Sequence, residues 1–261
     1  MDDNSVDMVL TSPPYDDLRT YQDTCSWNFD VFKPIAKEIY RVLKEGCVCV
    51  WVVGDATKDG SESGTSFKQA LYFKDECGFK LHDTMLYEKN SSAYPARRDS
   101  NRYTQIFEYM FVFSKGKIRD DVKLICDKKN SQFGTGRANF SHEVISYDKY
   151  GNKVKKNKAI IVPEFSPRNN IWRYNNSLMN SDRTGHPAVF PDLLAKDHIL
   201  TWSAKGDLIL DPFMGSGTTA KMCILNERDY IGFEKNPEYY KMSLDRLAKY
   251  KPNKIMSKIL K

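Results

Sequence analysis

Two hydrophobic periods alternate along the chain. Val6 to Leu10 is a short aliphatic and β-branched run that reads as a strand, and the prolines of Thr11-Ser12-Pro13-Pro14-Tyr15 remove backbone donors and end it. Phe32, Ile35, Ile39, Val42 and Leu43 fall at helical spacing, Gly46 supplies a stop, and Cys47 to Val53 reads as a buried strand. A second cycle follows. Ser66 caps a helix running to Cys77, Gly78 ends it, and strands over Phe79 to Tyr87 and Ile106 to Phe113 are joined by the polar loop Glu88 to Thr104. From Ser114 to about Asn180 the periodicity disappears and no element is assigned. Pro191 then opens a helix carrying Leu193, Leu194, Ile199 and Leu200, followed by a strand at Leu208 to Leu210, a helix at Gly217 to Asn226, a strand at Tyr230 to Phe233 and a helix at Pro237 to Lys249.

This alternation on both sides of the unassigned stretch predicts an α/β fold. The expected form is a doubly wound, Rossmann-like, largely parallel sheet whose ligands gather beyond the carboxyl ends of the strands. The halves are residues 1–113 and 186–261, with an inserted lobe at 114–185. A length of 261 residues with 41% hydrophobic content suffices for such a core. The longest apolar run is the seven residues Cys47 to Val53, far short of a membrane span, and Met1-Asp2-Asp3-Asn4 is acidic where a secretory signal is basic. The chain is therefore expected in the cytoplasm, with no membrane partner. Its six scattered cysteines read as buried free thiols, with no metal site.

Net charge is +6, and its location matters more than its size. Lys115 to Arg173 holds fourteen Lys or Arg against six Asp or Glu, which leaves 26 against 28 for the rest. All the excess positive charge therefore lies in the inserted segment, where it favours a polyanion. A Lys-rich run such as Lys153 to Lys158, taken alone, is more often a solvated loop.

Two segments carry chemistry. Asp211-Pro212-Phe213-Met214-Gly215-Ser216-Gly217-Thr218-Thr219 is a strand-to-helix turn whose glycines let a ligand approach backbone, and it lacks the third glycine of the dinucleotide fingerprint. A ligand without pyrophosphate fits better. Seventeen positions past Gly217, Glu234 ends a strand, where a carboxylate can accept two ribose hydroxyl hydrogens. At the other end of the chain, Ser12 Oγ and the Pro13 carbonyl can hold the hydrogens of an exocyclic amine. An amine lone pair delocalised into a ring becomes nucleophilic only when such acceptors favour a pyramidal nitrogen. Pro13 and Pro14 stiffen the turn, and Tyr15 can stack on a flat ring.

Together these segments resemble the β-class amino-group DNA methyltransferases, whose motif order is circularly permuted so that the catalytic S/D-P-P-Y motif precedes the cofactor motif. The resemblance runs from Val6 to about Leu247, apart from the basic insertion. It implies S-adenosyl-L-methionine as cofactor, contacted by Thr11, Asp211, Pro212, Phe213, Gly215, Ser216, Gly217, Thr218 and Glu234. It also places His186 and Pro187 beside the methionine moiety, as a structural turn rather than a general base. Catalysis falls to Ser12, Pro13, Pro14 and Tyr15. Double-stranded DNA is the implied partner, met by Arg97, Arg98, Arg102 and Tyr103 of the polar loop and by Lys155 and Lys156 of the insertion, although Arg97 and Arg98 read equally well as solvated charges.

Serine in the first motif position is typical of cytosine N4 enzymes and aspartate of adenine N6 enzymes, while carbon-5 methylation needs a Pro-Cys pair that does not occur here. The expectation is a cytosine N4 methyltransferase of restriction-modification, orphan or phage type. An adenine N6 enzyme and a noncatalytic DNA-binding subunit are its rivals. One departure is a strand and Gly-Asp turn that relatives carry upstream of Val6, at the adenine end of the pocket. The tail after Tyr250 replaces it, or a homodimer or partner subunit supplies it, or the chain is a fragment.

Overall fold

The computed structural model describes residues 1–14, 27–89, 101–134, 145–155, 162–174, 191–250 and 258–260. Eight strands form one sheet. In spatial order they are β11 (Ile171–Tyr174), β5 (Lys80–Lys89), β6 (Phe107–Ser114), β2 (Leu43–Val53), β1 (Val6–Thr11), β12 (Leu208–Asp211), β13 (Asp229–Phe233) and β14 (Lys258–Leu260). Only β6 runs against its neighbours, so the sheet is the mostly parallel one expected. Its helices are α1 (Phe29–Val42), α2 (Thr65–Asp75), α3 (Asp192–Trp202), α4 (Thr218–Leu225) and α5 (Pro237–Leu247).

Helix α1 starts at Asn28, whose side chain accepts from the Asp30 and Val31 N–H groups at 3.0 Å each. It buries Phe32, Ala36, Ile39 and Val42 along one face, in a cluster with Val9, Trp51 and Phe73. Three boundaries depart from their expected places. Gly46 is no helix stop: it lies inside β2 at φ 79°, where the pairing with β1 shifts register. Its N–H donates to the Lys115 carbonyl at 2.7 Å, and an added Cβ would sit 3.2 Å from the Lys117 carbonyl oxygen. Nor does Ser66 cap α2, because Gly64 takes the cap position. Asp55, just past β2, instead accepts from the Ser66 N–H at 2.9 Å and from its hydroxyl. Pro191 is the cap of α3, one residue before its first turn.

Two short strands, β3 (Thr57–Lys58) and β4 (Ser61–Glu62), make a hairpin between β2 and α2 that no period announced. The edge beside β13 is taken by β14 from the tail beyond Tyr250, pairing in parallel with Ile231 to Phe233. Cys47, Cys49 and Cys223 are buried free thiols as expected, whereas Cys126 is exposed. Among the described residues no helix is long and apolar enough to cross a membrane.

The chain divides into two compact units, Met1–Lys123 with Asn170–Lys261, and Leu124–Asn169. Within the second, β7 (Lys128–Lys129) pairs with β10 (Phe165–Ser166), and β8 (Ile145–Tyr147) with β9 (Lys153–Lys155), both antiparallel. Asp127 and Arg168 form an ion pair there at 2.5 Å.

Phe32 is the centre of the aromatic core, with ring centroids of Phe73, Phe29, Tyr72 and Trp51 at 5.1, 5.5, 5.6 and 5.7 Å. Its truncation to alanine should lower unfolding free energy by about 3–5 kcal/mol in denaturant titrations. A loss below about 1 kcal/mol would show that this cluster is not where the core is held.

Candidate active site

Parallel pairing of β1, β12 and β13 brings their carboxyl ends side by side, with Val9 opposite Leu210 and Asp211 opposite Gly232. The two motif segments therefore meet, although they are separated by most of the chain. The joint is a single buried hydrogen bond, in which the Thr11 hydroxyl donates to Asp211 Oδ1 at 2.6 Å. Directly beyond it, Ser12 is half-buried, Pro13 buried and Pro14 half-buried. Tyr15, His186, Pro187, Arg97, Arg98 and Lys156 lie outside the described residues.

Side chains and backbone together hold the loop that follows Asp211. Asp211 Oδ1 accepts the Phe213 N–H at 3.0 Å, and the Met214 N–H donates to the Phe233 carbonyl at 2.9 Å. Glu234 Oε2 accepts from Gly215 N–H and Oε1 from Asn236 N–H, both at 2.8 Å. Gly217 stands at φ 80°, and an added Cβ would come 3.2 Å from Ser243 Cβ, so glycine is needed twice over. From below, Arg246 Nη1 donates to the Ser216 carbonyl at 3.1 Å and to Thr218 Oγ1 at 2.8 Å.

The expected contacts are thereby sorted by position. Pro212, Phe213, Gly215 and Glu234 keep partial exposure, while Thr11, Asp211, Ser216, Gly217 and Thr218 are buried beneath them. Sequence reading missed the supporting group of Asp192, Lys221 and Arg246. Asp192 accepts from Lys221 Nζ at 2.7 Å and from Arg246 Nη2 at 3.1 Å, and both cationic side chains are only 2% exposed. The available signal was Lys221 itself, a lone charge between Ala220 and the apolar run Met222 to Leu225.

Among the expected DNA contacts, Arg102 is engaged by the Gly60 carbonyl of the β3–β4 hairpin and lies 3.9 Å from Glu62, while Tyr103 is fully exposed. Lys155 ends β9 in the second unit.

Burial raises the Asp211 carboxyl from 3.8 to about 6, against the opposing pull of hydrogen bonds from Thr11, Thr219 and the Phe213 N–H, with the nearby Glu234 charge adding to the rise. The folded state thus holds this proton more tightly than the unfolded one. The resulting stabilisation is complete below about pH 4 and is lost as pH rises through about 6. Wild type should therefore lose roughly 3 kcal/mol of stability relative to Asp211→Asn across that window, read from denaturant titrations at each pH. A pH-independent difference between the two proteins would contradict this.

Comparison with known proteins agrees with this geometry. The N6/N4 methylase family model, described as DNA methylase, matches residues 6–245. The orphan methyltransferase M.BamHII of Bacillus amyloliquefaciens is 51% identical over 252 residues, covering 95% of this chain and 91% of that protein. The DNA adenine methyltransferase YhdJ of Escherichia coli K12 is 28% identical, covering 93% and 76%. In structure, the cytosine-N4-specific PvuII DNA methyltransferase superposes with a TM-score of 0.67 at 23% identity over 94% of this chain and 80% of that one, a likeness of fold. M1.HpyAVI, in its SAM complex, gives 0.56 at 25% identity over 93% and 90%. A Thr11–Asp211 joint between an S-P-P turn and a glycine loop, on a sheet shared with such neighbours, and a family match across nearly the whole chain lead to one conclusion: the protein belongs to the N6/N4 DNA methylases, S-adenosylmethionine-dependent enzymes.

Proposed function

We propose that the chain methylates N4 of cytosine in double-stranded DNA, on a base turned out of the helix. The observation that carries this reading is Ser12, a hydroxyl in the first motif position, set immediately after the Thr11–Asp211 bond that joins the catalytic turn to the cofactor loop. The residues suit the cofactor. Glu234 uses one hydrogen bond on each oxygen and so retains acceptor sites for a ribose diol, and Gly215, at φ 51° and partly exposed, leaves the loop open to a ligand there. When bound, S-adenosylmethionine supplies an electrophilic methyl group on a sulfonium.

The chain's own residues do the rest. Ser12 Oγ and the Pro13 carbonyl accept the amine hydrogens and draw the nitrogen toward a pyramidal shape. The two prolines fix these acceptors before substrate arrives, so little ordering entropy remains to be lost. Tyr15 stacks on the extruded base.

For DNA, the β8–β9 hairpin of the second unit is the best-formed basic feature among the described residues. Asp148 accepts from the Tyr150 and Asn152 N–H groups at 2.8 and 3.0 Å, which shapes a turn closed by Gly151 at φ 82°. Tyr150 is 77% exposed with Lys149 Nζ over its ring at 5.1 Å, and Lys153 and Lys155 follow on β9. A basic two-stranded ribbon is the size of element that the major groove admits.

The adenine N6 reading has one specific support, the similarity to YhdJ. Labelled cofactor and DNA, digested to nucleosides after reaction, decide between the two: label in N4-methylcytosine is expected, and label in N6-methyladenine alone would overturn the proposal. Ser12→Ala should lower turnover on the order of a hundredfold while leaving cofactor affinity by calorimetry unchanged. Equal losses in both would remove Ser12 from the nucleophile. Reversing Lys153 and Lys155 to Glu should weaken DNA binding and flatten the plot of log affinity against log salt by about one unit for each phosphate no longer neutralised; an unchanged slope would show a solvated loop.

A further inference from the structure

Trp27 directly precedes the cap of α1, and its ring packs edge-on against Phe213 of the cofactor loop, with centroids 5.1 Å apart and planes at 86°. It is 9% exposed, and its Nε1 has no hydrogen-bond partner among the described residues. In the same cluster, Trp51 Nε1 donates to Gln69 Oε1 at 2.8 Å, as a buried indole normally does. The other orphaned buried atom among the described residues is Gln69 Nε2, but that amide is already committed through its oxygen to Trp51. Trp27 has no such justification. A buried donor without an acceptor destabilises the protein that contains it, and phenylalanine would keep an aromatic ring there without that donor.

We infer that the Trp27 indole N–H is a ligand donor of the active site, and that its acceptor is the carboxylate at the amino-acid end of the cofactor. The inference rests on the cofactor reading above. Phe213 follows β12, whereas Glu234 ends β13, one strand farther from β1. With ribose at Glu234 and the sulfonium presented to Ser12 at the end of β1, the amino-acid end belongs on the β12 side, where Trp27 packs. Its carboxylate is the strongest acceptor that the ligand brings there. Asp211, the carboxylate that precedes Phe213 on β12, already accepts from Thr11, Thr219 and the Phe213 N–H.

Trp27→Phe removes the donor and keeps an aromatic ring. Its binding is read by calorimetry with S-adenosylhomocysteine, which retains the amino-acid end, and with 5′-methylthioadenosine, which lacks it; thermal unfolding is followed without ligand. The expected result is about tenfold weaker binding of S-adenosylhomocysteine, unchanged binding of methylthioadenosine, and a ligand-free Tm equal to or above wild type. In the unaltered protein, the Trp27 indole N–H proton resonance should move downfield with the first ligand and stay in place with the second. Unchanged affinity for S-adenosylhomocysteine overturns the inference, and so does a lowered Tm with both ligands weakened alike, which marks Trp27 as a packing residue. Equal weakening of both ligands at unchanged Tm overturns the carboxylate as acceptor. Wild type that binds neither ligand overturns the cofactor reading as well, whereas normal wild-type binding with an unaltered variant overturns this inference alone.

Discussion

A hydroxyl and a carboxylate two hundred residues apart in sequence join the two motif segments of this protein. The Thr11 to Asp211 hydrogen bond is buried at the carboxyl ends of two adjacent parallel strands, and the S-P-P turn and the glycine loop each begin one residue beyond it. Neither segment has its own means of finding the other. Sheet register brings them close, and the bond then ties one to the other. An in-line transfer between two held groups depends on such fixed placement.

The same economy of placement extends around the loop. Asp211, Glu234 and Arg246 each bind main-chain atoms of different loop residues, so three ionisable side chains support the turn from three elements. Two of them have a further connection, Asp211 to β1 and Arg246 to Asp192 at the start of α3. Buried charges of this kind are rarely a gain in stability over apolar packing, and breaking one partner is costly. Their presence under a ligand loop fits a site in which fixed geometry matters more than folding free energy.

Much of this was legible in the sequence, for identifiable reasons. Runs such as Cys47 to Val53, wholly apolar and buried, and Val6 to Leu10, interrupted only by Asp7, suit the interior of a largely parallel sheet, so these strands were readable. The distance from Gly217 singled out Glu234, which the structure places against the Gly215 N–H. The legible part ended where stabilisation comes from partners distant in sequence. Gly46 looked like a helix stop because its bulge is shaped by Lys115 and Lys117, and Ser66 looked like a cap because Asp55 is invisible to a local rule. β11 and β14 are three or four residues long and are made strands by the edges they join, at β5 and β13. No local rule separates a bonded Lys221 or Arg246 from a solvated charge, or an orphaned Trp27 indole from plain core; those distinctions exist only in three dimensions.

The central claim is that the two motif segments act as one site through Thr11 and Asp211. A double-mutant cycle on kcat/KM, with Thr11→Val, Asp211→Ala and the pair, tests it most directly. Coupling of about 1 kcal/mol or more, with the double variant little worse than the poorer single one, is the predicted outcome. Losses that add to within about 0.5 kcal/mol would mean that the two residues act independently, and would contradict the account.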